Sequence, residues 1–346
     1  MQRTELRAED PEAARPPSRV RKIWCWIRRH PLRALGCALL FGFVGVNFLA
    51  FRHAGAMTTF VADQPSTQAP EALSFGQKAS AVLLGVSVRR PVNSQTPAAH
   101  EMPFTTHTLR AGEARLETWL IPASPSKGVV VLCHGYAASK SSLLPVAAEL
   151  RALGYTCLLL DFRGSGGSSG DQTSLGYHEA EDVAAAVAFA KERAPAQPLI
   201  LFGTSMGAAA VLRAIHTQGV LPDALILEAP FNRLVDTVGH RFELMGAPRS
   251  PGAELLVFWG SVRGGIDGFS HNPADYAKSV ECPTLVLHGD QDARVSVAEV
   301  REVFGALPEG SRALTIFEGV GHERYVDVRP LEWRAAVTNF LSTLEG

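Results

Sequence analysis

The chain has 346 residues, 46% hydrophobic and 19% charged, with a net charge of −1. That length holds one large α/β domain with extra segments, and the composition is ordinary for a globular enzyme with an apolar segment added. The near-zero charge excludes a global field that would draw nucleic acid, so no nucleic-acid partner is expected.

Residues 1–31 are polar, basic and proline-bearing, and read as a disordered cytoplasmic tail. Residues 32–51 follow as a transmembrane anchor: Ala34 to Phe51 runs without a charge, near the lower limit for spanning a bilayer core. Arg19, Arg21, Lys22, Arg28, Arg29 and Arg33 precede the run, and only Arg52 follows closely. This asymmetry predicts a single-pass protein with its N-terminus in the cytoplasm and its bulk outside, periplasmic or extracellular. The alternative is secretion after signal cleavage near Ala56, where Ala54-Gly55-Ala56 supplies an A-x-A pattern.

Residues 52–103 read as a linker segment. Within it, Leu73, Phe75, Ala79, Val82, Leu83 and Val86 recur at near-helical spacing and predict an amphipathic helix over Ala72 to Val88. Pro91 to Pro103 reads as linker proper. From Phe104 the pattern changes to short apolar strands alternating with amphipathic helices. Strands are expected at Phe104–Arg110, Leu116–Ile121, Gly128–Cys133, Thr156–Leu160, Leu199–Phe202, Ala224–Leu227, Thr284–Leu287 and Leu314–Phe317. Helices are expected at Ser142–Ala152, Tyr177–Arg193, Met206–His216, Val297–Ala306 and Leu331–Leu344. Such alternation implies an α/β domain over 104–346: a mostly parallel sheet with helices on both faces, its functional loops at the carboxyl ends of the strands. An insert at about 231–279, rich in apolar residues, reads as a small cap. The five cysteines, odd in number and without a C-x-x-C pair, read as small buried hydrophobes rather than a disulfide or metal set.

Gly203-Thr204-Ser205-Met206-Gly207 stands between a predicted strand and a predicted helix. Strand, G-x-S-x-G, helix is the pattern that presents a serine on a tight turn in front of free helix N–H groups. A second copy, Gly166-Gly167-Ser168-Ser169-Gly170, has no strand immediately before it and reads as a flexible loop. Its glycines also miss the dinucleotide-binding spacing, because Ser169 stands where the third glycine belongs. Ser205 is therefore the candidate nucleophile. A hydroxyl needs a base, and His322, between Gly321 and the last predicted helix, lies in a loop at the required sheet edge. The acid belongs after the penultimate strand, where Asp290 and Asp292 both qualify by location. The oxyanion donors are assigned to the backbone N–H groups of Met206 and Tyr136. His134 reads as a loop organiser.

With His134-Gly135-Tyr136, Asp161-Phe162-Arg163-Gly164, the Ser205 elbow, His288-Gly289-x-x-Asp292 and Gly321-His322 in this order, the sequence from Phe104 onward resembles the α/β-hydrolase superfamily. Its nearest likeness is to the serine aminopeptidase-like and monoacylglycerol-lipase-like branch. The resemblance implies Asp292 rather than Asp290 as the acid, no cofactor and no metal, and hydrolysis of a small-molecule or lipid-like ester or thioester near a membrane. Peptidase or amidase action, acyl transfer, and a non-catalytic scaffold are the alternatives. For an aminopeptidase, Glu228, Asp236, Glu243 and Asp267 are the carboxylates available to a substrate amine.

Overall fold

The computed structural model describes residues 19–62, 64–68 and 70–344. It divides into two units, with the boundary between Phe48 and Leu49. Of the expected tail, residues 1–18 lie outside the described residues, and Arg19–Arg29 is not disordered but a helix, α1. Val20, Ile23, Trp24 and Ile27 recur on one face of it, a spacing that outweighs the basic composition. Helix α2 (Pro31–Thr58) follows; it is long and apolar enough to cross a membrane, with a mean hydropathy of 2.1 in its apolar window. It ends seven residues beyond Phe51, because Arg52 and His53 do not break a helix whose last turns are buried.

Those last turns belong to the second unit. Ala54 is 2% exposed, and the Phe51 ring meets Trp259 edge-on at 5.4 Å. Helix α3 (Phe75–Leu84) occupies the predicted amphipathic stretch, trimmed at both ends. Pro91–Pro103 is packed rather than a free linker: Met102 is buried, and Asn93 donates to Asp161 at 2.8 Å.

Eight strands form one sheet in the order β1-β2-β4-β3-β5-β6-β7-β8. They are β1 (Thr105–Ala111), β2 (Ala114–Ile121), β3 (Val129–Cys133), β4 (Thr156–Leu160), β5 (Leu199–Thr204), β6 (Ala224–Glu228), β7 (Thr284–Gly289) and β8 (Arg312–Phe317). β2 is antiparallel to both its neighbours, and every later pairing is parallel. Strands β3 and β6 are buried at every residue, as continuous apolar runs covered on both faces must be.

The covering helices are α4 (Leu144–Ala152), α5 (Glu179–Arg193), α6 (Met206–Gln218), α7 (Leu234–Leu244), α8 (Gly252–Gly264), α9 (Pro273–Tyr276), α10 (Val297–Ala306), α11 (Tyr325–Val328) and α12 (Pro330–Ser342). Two apolar layers result: one includes Val131, Leu201 and Val211, the other Leu132, Phe202 and Trp333. The predicted cap contains α7, α8 and α9. All five cysteines are free thiols.

Candidate active site

The parallel β-α-β crossovers bring the carboxyl ends of β3, β5, β7 and β8 to one edge of the sheet, and each sequence-predicted site residue follows one of these strands. Ser205 follows β5 directly and caps α6 with φ 51 and ψ −112. A non-glycine residue held there costs roughly 1–3 kcal/mol of strain. The cost is met locally: the Ser205 N–H donates to Glu228 O at 2.8 Å, and its carbonyl accepts from Ala208 N–H at 3.0 Å. Gly207 lets the helix start press on the β3 loop, since a Cβ there would collide with Cys133 O. Gly135 faces the elbow with more room, an added Cβ standing 3.3 Å from Thr204 Cγ2 and 3.6 Å from Ser205 Cβ.

Asp292 and His322 are brought together. The His322 ring Nδ1 donates to Asp292 Oδ2 at 2.6 Å. Asp292 Oδ1 accepts from the N–H groups of Arg294 at 2.8 Å and Val295 at 3.0 Å. Burial alone would raise the Asp292 carboxyl, but the bond and charge of His322 and the two backbone N–H groups outweigh it and hold it below its usual range. His288 is the other imidazole nearby, but its Nδ1 is 4.0 Å from Asp292 and the ring is fully buried. Asp290, equal to Asp292 by sequence position, has a different partner. Its Oδ1 accepts from Gly319 N–H at 2.7 Å and ties the acid loop to the loop that carries His322. Among the described residues no hydrogen bond joins the Ser205 hydroxyl to the His322 ring; such bonds are commonly long before substrate binds.

Among the described residues neither the Met206 nor the Tyr136 N–H donates to a protein acceptor. Met206 is the first residue of α6, so its N–H is one of the helix's unpaired donors. Tyr136 is held through its side chain: the hydroxyl donates to Met57 O at 2.7 Å, on the last turn of α2, and burial pushes its pKa up to about 12. His134 organises the loop as expected. Its Nε2 accepts from Phe162 N–H at 3.2 Å, which leaves Nδ1–H to donate to Gly135 O at 2.8 Å.

Sequence reasoning did not anticipate the burial of Glu228 or of Lys140. Glu228 ends β6 beneath the elbow, where its carboxyl accepts from Thr204 Oγ1 at 2.8 Å and Trp333 Nε1 at 2.7 Å. Both donors are neutral, so burial dominates and raises its pKa to about 7. A glutamate closing an otherwise apolar strand was the available signal. Lys140 is fully buried, paired with Glu117 at 2.7 Å and with Asp161, and its ammonium stands 4.1 Å from the Trp119 ring centroid. No apolar period flags such a residue. Among the described residues no group of three or more His, Cys, Asp or Glu side chains is placed to hold a metal ion.

The comparisons with known proteins agree with this architecture. The family model described as "Serine aminopeptidase, S33" matches residues 124–253, which include Tyr136, Ser205 and Met206. An uncharacterized protein of Mycobacterium tuberculosis is 30% identical over 241 residues, covering 65% of this chain and 78% of its own length. The monoacylglycerol lipase of Mycolicibacterium smegmatis is 27% identical, over 58% of this chain and 83% of that protein. Among solved structures, Pyrococcus furiosus esterase Pf2001 superposes with a TM-score of 0.61 at 26% identity, over 74% of this chain and 97% of the esterase. The doubly covered sheet, the loops gathered at its carboxyl edge and these likenesses together place the chain in the α/β-hydrolase superfamily, in its serine aminopeptidase-like and monoacylglycerol-lipase-like branch.

Proposed function

We propose that this chain is a membrane-anchored serine hydrolase that cleaves carboxylic esters through an acyl-enzyme, with Ser205 as nucleophile, His322 as base and Asp292 as the acid that orients it. The observation that carries the reading is the 2.6 Å bond from His322 to Asp292 on the sheet edge where Ser205 takes its strained conformation. His322 Nε2 removes the Ser205 proton as Oγ attacks the carbonyl carbon. The N–H groups of Tyr136 and Met206 receive the oxyanion, a contribution of about 10²–10³ in rate per donor. Collapse of the tetrahedral adduct expels the alcohol, which takes the proton from His322. Water then repeats the sequence and frees the carboxylic acid.

Esters are favoured over amides by the fate of the four carboxylates from which an aminopeptidase would draw its amine-binding group. Glu228 accepts from Thr204 and Trp333, and Asp236 pairs with Arg249 and Asn232. Glu243 pairs with His240, and Asp267 accepts from Phe269 N–H and Ser270 N–H. The relatives named as lipase or esterase point the same way. Thioesters share the chemistry. Helix α2 serves as the anchor, and the basic residues before it put the N-terminus in the cytoplasm and the catalytic unit outside. A retained anchor is favoured over cleavage near Ala56 because Ala54 is buried in the second unit and Met57 O holds Tyr136. The test is turnover of 4-nitrophenyl butyrate by the full chain in neutral detergent. Ser205→Ala removes it and also abolishes fluorophosphonate labelling; turnover at near the parent rate sinks the assignment.

A further inference from the structure

Two cations of the cap, Arg241 and Arg263, have no carboxylate partner among the described residues; the Arg263 guanidinium carbon instead lies 4.8 Å from the Phe51 ring centroid. Arg241, on α7, lines an apolar pocket with Tyr136, Thr173, Leu175, Met57 and Val257. Its guanidinium carbon lies 5.5 Å from the Tyr136 ring centroid. Among the described residues its side chain forms no hydrogen bond and no ion pair. The charge of Glu71 reaches it, but that carboxylate is shared, since it accepts from Arg294 Nε at 2.7 Å. On α7 itself Asp236 pairs with Arg249, and His240 with Glu243 and Glu299. Burial lowers the Arg241 pKa from its ordinary value, and the charge of Arg294 adds to the effect, yet a guanidinium stays protonated at any working pH. A half-buried guanidinium that no anion hydrogen-bonds gains when one meets it.

The pocket adjoins the reacting centre on two sides. Tyr136, which forms part of its wall, carries one of the proposed oxyanion donors. Thr173 Oγ1, also in the wall, lies 3.4 Å from Met206 Sδ, and Met206 carries the other. The pocket thus shares walls with the residues that carry both proposed oxyanion donors.

We propose that Arg241 binds an anionic group, phosphate or carboxylate, on the same molecule as the scissile ester, so that the enzyme selects negatively charged esters. The inference rests on the serine-hydrolase reading of the same site. Met57 and Thr58, from the last turn of α2, also line the pocket, which suits an anionic ester presented at a membrane surface. A soluble anionic ester meets the same chemistry.

The test uses the full chain in neutral detergent and two matched pairs of esters. 1-Oleoylglycerol is compared with 1-oleoylglycerol 3-phosphate, and 4-nitrophenyl pentanoate with 4-nitrophenyl hemiglutarate. The expected result is kcat/KM about tenfold or more higher on the charged member of at least one pair, carried mainly by KM. Preference confined to the first pair identifies a lipid source, and preference confined to the second a soluble one. Arg241→Met brings the ratio toward one, while Arg241→Lys keeps most of it. Equal rates within both pairs, or an Arg241→Met variant that slows charged and neutral members alike, overturns the proposal. Those outcomes are separate from failure of the catalytic reading, which shows as turnover of 4-nitrophenyl pentanoate surviving Ser205→Ala.

Discussion

Gly203–Gly207 and Gly166–Gly170 carry the same five-residue string in two different settings. Ser205 stands at φ 51 between β5 and α6, with its hydroxyl free of protein partners among the described residues. Ser168 is 3% exposed, its hydroxyl donating to Asp161 O at 2.6 Å and accepting from Glu117 N–H at 2.9 Å. The second loop is therefore not flexible. Arg90 clamps it through Gly166 O at 2.9 Å, Gly170 O at 3.2 Å and Ser168 O. Gly166 is required there because any Cβ would collide with the Asp161 carboxylate, which must approach to bind Gly167 N–H at 2.9 Å. One string thus serves presentation of a side chain and the other its sequestration, and the preceding strand makes the difference.

The buried carboxylates beneath the two loops differ in the same way. Burial would raise Asp161, but the nearby charge of Lys140 and the hydrogen bonds it donates hold it below its usual range. Glu228, with neutral donors only, is left to burial and rises to about 7. The depressed group contributes stability above the unfolded carboxyl range, lost as pH falls through its folded pKa. The raised group contributes stability below the unfolded pKa, lost as pH climbs through about 7.

The largest effect that would break the comparison is on activity. Ser205→Ala is expected to lower kcat on an activated ester by about 10⁴-fold or more. Ser168→Ala should keep turnover within about tenfold of the parent, while urea unfolding shows a loss of about 1–3 kcal/mol for the orphaned backbone groups. The reverse ranking would exchange the roles of the two loops. The paired aspartates repeat the contrast: Asp292→Asn should cost about 10⁴-fold in kcat by misdirecting the His322 tautomer, and Asp290→Asn far less, because its partner is a loop N–H.

Next comes Asp161→Asn. It leaves Lys140 with only Glu117 and should destabilise by about 3–5 kcal/mol in urea titrations at pH 7. A loss under about 1 kcal/mol would show that the network does not hold the loop. The smallest effect sharpens the comparison most. Stability of the parent should fall between about pH 4.5 and pH 7 relative to Glu228→Gln, because over that range the unfolded chain has released a proton that the buried carboxyl still holds. Parallel pH profiles for the two proteins would mean that folding does not raise the pKa of the Glu228 carboxyl.

The eight strands, the five helices read between them and the loops carrying Ser205, Asp292 and His322 were legible in the sequence, because strand and helix periods and turn residues are local signals. So was the choice of Ser205 over Ser168, from the presence or absence of a preceding strand. What was not legible depends on partners distant in the chain. Resemblance aside, the separation of Asp290 from Asp292 hangs on which one meets the His322 ring and which the Gly319 N–H of the same loop, some thirty residues later. The burial of Lys140 requires Glu117 and Trp119 of β2 to meet Asp161 at the end of β4.

The sequence by itself determined an α/β chain with an apolar N-terminal helix and an ordered set of candidate site residues, since each depends on composition and spacing within a few turns. Only the tertiary structure decided that the last turn of α2 holds Tyr136, that Glu228 is left among neutral donors, and that Arg241 lacks a carboxylate. Those outcomes follow from which polar groups packing brings within hydrogen-bond reach and which it strands in apolar surroundings. No pattern along a single chain encodes that until the layers close.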